Sequence, residues 1–199
     1  MTIVRPACSD DLRAIEALRR ADGDCLGFIP KQRYEHIVNQ TLDRGRPRWT
    51  YEWLLVSEDN TDVTGFVLAS FGREGMKAEQ VCVRRDARRM ERALLLVGTV
   101  ELEAVRRHMN RARCRVAYDI EANAFWLAAG WEAVATVTST WLNIRESKCK
   151  RPLIVYDKVL CQPRLFNARQ PFIVVTPTGE LVSGALAGRC ITEPSSAEG

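Results

Sequence analysis

Apolar residues along this chain recur with two alternating periods, and each change of period marks an element. Thr2 to Pro6 is short and β-rich, and Ser9 followed by Asp10 and Asp11 reads as a helix N-cap with acids at the positive end of the helix. A helix is predicted from about Asp10 to Arg20: Leu12, Ile15 and Leu18 fall on one side, and Arg13, Arg19 and Arg20 stay in solvent. After the Gly23 to Gly27 break, Pro30 opens a second helix carrying Tyr34, Ile37 and Val38. Glu52 to Ser57 and Val63 to Phe71 read as an antiparallel hairpin around the acid-rich turn Glu58 to Asp62. In the next strand, Ala78 to Arg84, alternation sets Glu79, Val81 and Val83 on one face and Gln80, Cys82 and Arg84 on the other.

The longest helical signal runs from about Met90 to Met109. Its apolar arc is Leu94, Val97, Leu102, Val105 and Met109, opposite a polar stripe of Thr99, Glu103, Arg106 and Arg107. A short strand from Arg113 to Tyr118, a helix from Asp119 to Ala129 closed by Gly130, and strands from Trp131 to Ile144 and Pro152 to Leu160 complete the pattern. The order βααβββαβαββ predicts a mixed α/β domain over 1–160, its long helix crossing between neighbouring strands. Residues 161–199 form a separate C-terminal extension, with a small hairpin expected around Thr178-Gly179 and a polar tail expected to be disordered.

Composition narrows the function classes. With 46% apolar and 27% charged residues in 199, the chain suits one ordinary globular core, and 29 basic against 25 acidic side chains leave only +4. No apolar run approaches the roughly 18 residues of a membrane span, and the start lacks the pattern of a signal peptide, so a cytoplasmic protein is expected. Seven scattered cysteines form no Cys-x-x-Cys pair and the two histidines, His36 and His108, lie far apart, so neither a zinc site nor a Ser-His-Asp triad is expected. His108, near the end of the long helix, suits that helix's negative terminus.

The stretch most informative for chemistry is Val81-Cys82-Val83-Arg84-Arg85-Asp86-Ala87-Arg88-Arg89-Met90-Glu91-Arg92-Ala93-Leu94. A strand runs into a basic turn that starts a long helix, and such a helix end offers free backbone N–H groups to an anion. Five arginines against two acids from Arg84 to Arg92 give a local +3. The stretch resembles the signature of the GNAT acyltransferase superfamily, in which Arg or Gln is followed by x-x-Gly-x-Gly/Ala; Arg88 and Ala93 fall on those positions. Ile3-Val4-Arg5-Pro6-Ala7 with Asp11-Leu12 and Ile15 is similar to the family's opening. Asp119, Asn123, Phe125-Trp126 and Gly130-Trp131 are similar to its second cofactor-side helix.

That resemblance implies an acetyl-CoA-dependent N-acetyltransferase of a primary amine. Its cofactor contacts would be Val83, Arg84, Arg88, Arg89, Met90, Arg92, Ala93, Asn123 and Trp126. The thioester would insert where the strands ending at Val83 and Tyr118 splay, with the Val83 backbone polarising the acyl carbonyl. Glu79 would be the base, Asp119 a further catalytic or capping group, and Phe28, Tyr34 and Tyr118 the acceptor wall. The chain departs from the family pattern at Glu91, which replaces a Gly, at Trp126, which stands where the family often has Tyr, and at Asp119, which stands for Asn. Two other readings stay open: a GNAT-fold nucleobase modifier of the Mom type, with nucleic acid met by the basic groups at Arg84–Arg92, Arg106–Arg115 and Arg145–Arg151, and a degenerate module that binds without catalysis. The sequence assigns neither the acceptor nor the oligomeric state.

Overall fold

The computed structural model describes residues 2–23, 25–42, 52–88, 91–139, 151–160, 172–175 and 181–184. Strand β1 (Thr2–Pro6) leads through a 3₁₀ turn (Ser9–Asp11) to α1 (Leu12–Ala21) and α2 (Lys31–Leu42); β2 (Glu52–Asp59), β3 (Asp62–Gly72) and β4 (Gly75–Val83) follow as an antiparallel meander. A second 3₁₀ turn (Arg85–Ala87) precedes α3 (Arg92–Arg106), then β5 (Arg111–Ala117), α4 (Ala122–Ala128), β6 (Glu132–Thr138) and β7 (Pro152–Val159). Two short strands, β8 (Phe172–Val175) and β9 (Leu181–Gly184), pair with each other, and β8 adds parallel to β1. One sheet results, in the order β6-β7-β5-β4-β3-β2-β1-β8-β9. Arg89, Met90, the predicted strand beyond Ser139, most of the Arg145 to Arg151 connection and the Thr178-Gly179 turn lie outside the described residues.

The two faces of the sheet are covered by different helices. Ile15, Leu18, Tyr34, Ile37 and Val38 of α1 and α2 pack on Leu54, Val56, Phe66 and Leu68. On the other face Leu96, Val100 and Ala104 of α3, with Trp126 of α4, pack on Trp53, Leu55, Val67, Ala69 and Phe71. Each large apolar side chain so buried stabilises the fold by roughly 1.5–3 kcal/mol. Alternation along β2 and β3 therefore feeds two cores, and these strands are buried on both faces.

The structure corrects several local expectations. Ser9 does not cap α1; the Asp11 carboxylate instead accepts the Cys8 amide at 2.7 Å and the Arg5 guanidinium at 2.6 Å, and the helix starts two residues later than expected, at Leu12. In α3 the apolar run from Ala93 to Val97 surrounds the helix, so a three-to-four spacing cannot choose its inner side. Thr99 is buried with its hydroxyl on Leu95 O at 2.7 Å, while Leu94 and Leu102 are only half-buried. His108 has φ 60° and follows the helix as the left-handed residue of a Schellman closure, with His108 N–H on Val105 O and Met109 N–H on Ala104 O, both 2.9 Å. Its contribution to the helix end is made by backbone. Asp119 does not cap α4, which begins at Ala122; it pairs instead with Arg151 at 2.7 Å, and this hydrogen bond holds its carboxyl below the usual range.

Candidate active site

β4 and β5 run parallel but pair only from Met76 with Ala112 to Ala78 with Cys114. Beyond that last pair the strands have no ladder, while β3 keeps β4 in register to Val83 and β7 keeps β5 in register to Ala117. The sheet is therefore forked, with its open end toward Val83 and Tyr118. Arg84 gives its amide to Thr64 O of β3 at 2.8 Å, so strand alternation turns the N–H groups of Val83 and Val81 the other way, into the fork.

At Glu79 the β3–β4 register slips, Leu68 facing Gln80 and Ala69 facing Ala78. This bulge reverses the faces of β4: Met76 and Ala78 pack under α3, whereas Cys82 belongs to the core under α1 and Val83 to that under α3. Simple alternation placed Glu79 with Val81 and Val83; the bulge puts it on the α1/α2 face instead. There its carboxylate meets Lys77 at 2.8 Å and the Ser70 hydroxyl at 3.0 Å, with Arg33 at 3.8 Å.

The start of α3 supplies anion donors. Glu91 precedes the helix with φ 61° and ψ 0°, makes no side-chain cap, and leaves the amides of Arg92, Ala93 and Leu94 without intrahelical acceptors. The arginines around it are mostly engaged by acids from distant parts of the chain. Arg84 meets Asp62 at 2.5 Å and Asp86 at 2.7 Å, Arg92 meets Asp59 at 2.6 Å, and Arg88 joins buried Asp22 while donating to Val83 O at 3.0 Å. Asp22, Asp59 and Asp62 thus offset the +3 counted along the sequence. A cleft of about 400 Å³ lies beside this loop, lined by Asp59, Asp62, Thr64, Arg84 and Arg92; none of its lining comes from β5, so it is distinct from the fork.

On the α1/α2 side, the Gln80 amide donates to Gly27 O and tethers the loop that carries Phe28, 60% exposed, beside β4. Tyr118 follows β5 at the open end of the fork and is 65% exposed. Solved N-acetyltransferase structures share the fold. An N-acetyltransferase from Staphylococcus aureus Mu50 superposes with TM-score 0.63 at 17% identity over 81% of this chain and 99% of that one. The ribosomal-protein-S18-alanine N-acetyltransferase of Escherichia coli gives 0.60 at 11% over 82% and 97%, and Arabidopsis thaliana NAA60, solved with a bisubstrate analogue, 0.62 at 14% over 80% and 98%. The chain has the GNAT fold. No family model and no curated protein matches the sequence itself.

Within this GNAT fold the remaining predicted residues take definite places. Ala93 lies in the first turn of α3. Asn123 is turned inward, its amide donating to Ala117 O at 2.9 Å, Tyr118 O at 3.0 Å and Ile120 O at 2.8 Å and its oxygen accepting from the Tyr156 hydroxyl at 3.0 Å. It fixes the turn after β5. Trp126 is buried, edge-on to Trp131 at 4.8 Å, so it supplies apolar mass where a phenol was wanting. Tyr34 is a core residue, its hydroxyl on the Gln80 oxygen and its ring under Arg19 at 4.6 Å; burial raises its phenol to about 12. The Arg106–Arg115 basic group is also partly paired: Arg107 bonds Glu103 at 2.8 Å and lies over the Phe71 ring at 4.6 Å, and Arg111 and Arg113 share Asp157 at 2.6 and 2.7 Å. Asp22 and Gln80 were given no role in the sequence, where nothing local sets them apart, and Arg115 was counted there only within the Arg106–Arg115 basic group. Among the described residues no helix is long and apolar enough to cross a membrane, and no group of His, Cys, Asp and Glu is placed to hold a metal.

Proposed function

We propose that the protein is an N-acyltransferase that moves an acetyl group from acetyl-CoA to a primary amine by direct attack. The observation that carries this reading is the loss of pairing between β4 and β5 beyond Ala78 and Cys114, directly beside a helix start whose first amides are unfilled. The residues present fit the group. Amides 92–94 would hold the diphosphate, and the N–H groups of Val81 and Val83 would meet the pantetheine arm and the acyl carbonyl. Acetyl-CoA supplies the activated acyl group; the chain orients it and manages protons.

Arg88 spans Val83 O and Asp22, so it serves as a strut that holds the end of β4 rather than as a phosphate ligand. The amine reaches the fork from the α1/α2 face, since α3 fills the other. Glu79 stands on that face with both carboxylate oxygens engaged, by Ser70 and by Lys77. It therefore suits proton removal relayed through a water better than direct contact with the amine. Phe28 and Tyr118 flank the approach as acceptor-side surfaces.

Thermal unfolding with increasing acetyl-CoA tests the reading together with thiol release over a panel of amines. A ligand at about one hundred times its Kd stabilises by about 2.7 kcal/mol, so saturable protection with CoA release is expected. Protection without release by any amine would leave a binding module, and no protection at all would remove the acyl-CoA assignment. The basic groups give the DNA-modifying reading no particular support, because so many of their arginines are internally paired.

A further inference from the structure

Ala78 and Cys114, the last paired residues of the fork, both pack under α3. The next residue of each strand, Glu79 and Arg115, therefore projects from the opposite face, at the apex of the opening where the acceptor must enter. Lys77 and Arg113 are register partners on that same face one pair back, and Arg111 precedes them on β5. No described helix packs over β5 and β7 on this side, since α1 and α2 cover only the β2–β4 half.

Most charges here are already matched, Glu74 and Glu132 adding to the acids on this face. Glu79 is taken by Lys77, Arg33 by Glu52 at 3.0 Å, and Arg111 and Arg113 share the single carboxylate of Asp157. Arg115 is exposed, and among the described residues it has no carboxylate within 4.0 Å. Among the described residues it is the one cation at the apex with no carboxylate partner. A guanidinium there matches a carboxylate through two parallel hydrogen bonds, and its own charge opposes a cation placed against it.

We propose that this face of the fork selects an amine that carries a carboxylate a few bonds away, held by Arg115, and rejects polycationic amines. The inference rests on the acyl-transfer reading above and deepens it by naming the acceptor class. Such a carboxylate comes either from a free amino acid or from acidic side chains near the N-terminus of a peptide.

The test uses the full chain with acetyl-CoA and four acceptors: glutamate, an amidated Ala-Glu-Glu peptide, an amidated Ala-Lys-Lys peptide and spermidine. Thiol release is measured, and binding of each acceptor to the CoA complex is measured beside it, so that an acceptor too unreactive to turn over still reports. At least one carboxylate acceptor should exceed both cationic ones about tenfold in kcat/KM or affinity, and whether glutamate or the peptide leads separates the two sources. Arg115→Ala should lose that preference mainly through KM, and Arg115→Glu should turn the ranking toward Ala-Lys-Lys. Because Arg115 is exposed, thermal stability serves as the folding control. Preference for the cationic amines in the unmodified protein, binding of no acceptor, or an Arg115→Glu variant with unchanged ranking overturns the assignment. If acetyl-CoA itself gives no saturable protection, it is the acyl-transfer reading that falls, before any acceptor is compared.

Discussion

Glu91 holds a backbone conformation that a side chain disfavours, φ 61°, at the point where the resembled signature carries Gly. A non-glycine residue in this region costs about 1–2 kcal/mol, and the carboxylate adds negative charge beside the proposed diphosphate. Glu91→Gly should raise stability by about 1 kcal/mol net of the entropy that Gly brings to the unfolded chain, about 2–4 °C in Tm, and should tighten CoA binding in calorimetry. Tightening without the Tm gain would mean that charge, not backbone, is what matters there. Asp22 is a second single-residue control point. It is buried, receives Arg88, and lies 3.5 Å from the Cys82 thiol; burial foremost, helped by this carboxylate, pushes that thiol up to about 12. Asp22→Asn should cost about 1–3 kcal/mol by leaving Arg88 half-paired. CoA affinity should fall with it, because Val83 O loses its fixed partner; equal affinity would show that the strut does not shape the fork. At this scale the sequence was legible where the signal is local, as in the strand-to-helix turn that holds Glu91 and Ala93. It was silent where a role depends on a partner some sixty residues away, as for Asp22 and Arg88, or on a bulge that reverses alternation, as at Glu79.

Among the elements, the β2–β3 hairpin bears on the site most directly. Its two-residue turn is Asn60-Thr61, both with positive φ, 47° and 72°, and the flanking Asp59 and Asp62 hold Arg92 and Arg84. A β-branched residue at such a φ is strained, and Asn-Gly is the pair this turn prefers. Thr61→Gly should therefore stabilise the protein by about 1 kcal/mol in denaturant unfolding; a loss would mean that the Thr61 hydroxyl, which donates to Asn60 O, outweighs the strain. Gly75 shows the reverse case: with φ 118° and a would-be Cβ 2.2 Å from Arg111 O, it must stay glycine for β4 to start beside β5. Element order was readable because Leu12, Ile15 and Leu18 on one side, and the alternation of β4, are strong periodic signals. The inner face of α3 was not readable, because Leu94, Leu95, Leu96 and Val97 offer apolar surface in every direction.

For the molecule as a whole, the fork needs its two arms held at a fixed angle, and an ion pair with a buried carboxylate and a half-buried lysine ties them. Glu101 of α3 accepts Lys158 Nζ of β7 at 2.8 Å and the Trp131 indole N–H at 3.0 Å, while the same Lys158 donates to Ala129 O at the end of α4 at 2.9 Å. Burial raises the Glu101 carboxyl above its usual 4.5, against the lowering pull of Lys158 and Trp131. Asp11, Asp59 and Asp157 go the other way. Burial works to raise Asp11 and Asp59, but hydrogen bonds from Arg5 and Cys8, and from Thr2 and Arg92, win; for Asp157 the Arg113 bond leads. The three aspartates bind fewer protons folded than unfolded below 3.8, so the stability they contribute is complete above that pH and is lost as pH falls. Glu101 binds more protons folded than unfolded between 4.5 and its raised value, so its contribution is complete below 4.5 and fades as pH rises through that window. Lys158→Met removes the cation and leaves a buried carboxylate, a change that costs about 3–5 kcal/mol where Glu101 is ionised. Because the carboxylate then takes up a proton more readily, the deficit against the unmodified protein should be largest near pH 7 and shrink toward pH 5, while the acid limb set by the aspartates stays in place. Adding Glu101→Gln should recover much of the loss at pH 7 and flatten the difference. Urea unfolding at several pH values checks this directly: a deficit independent of pH would mean that Lys158 acts through packing and its bond to Ala129 O, and that the arms of the fork are not joined by charge.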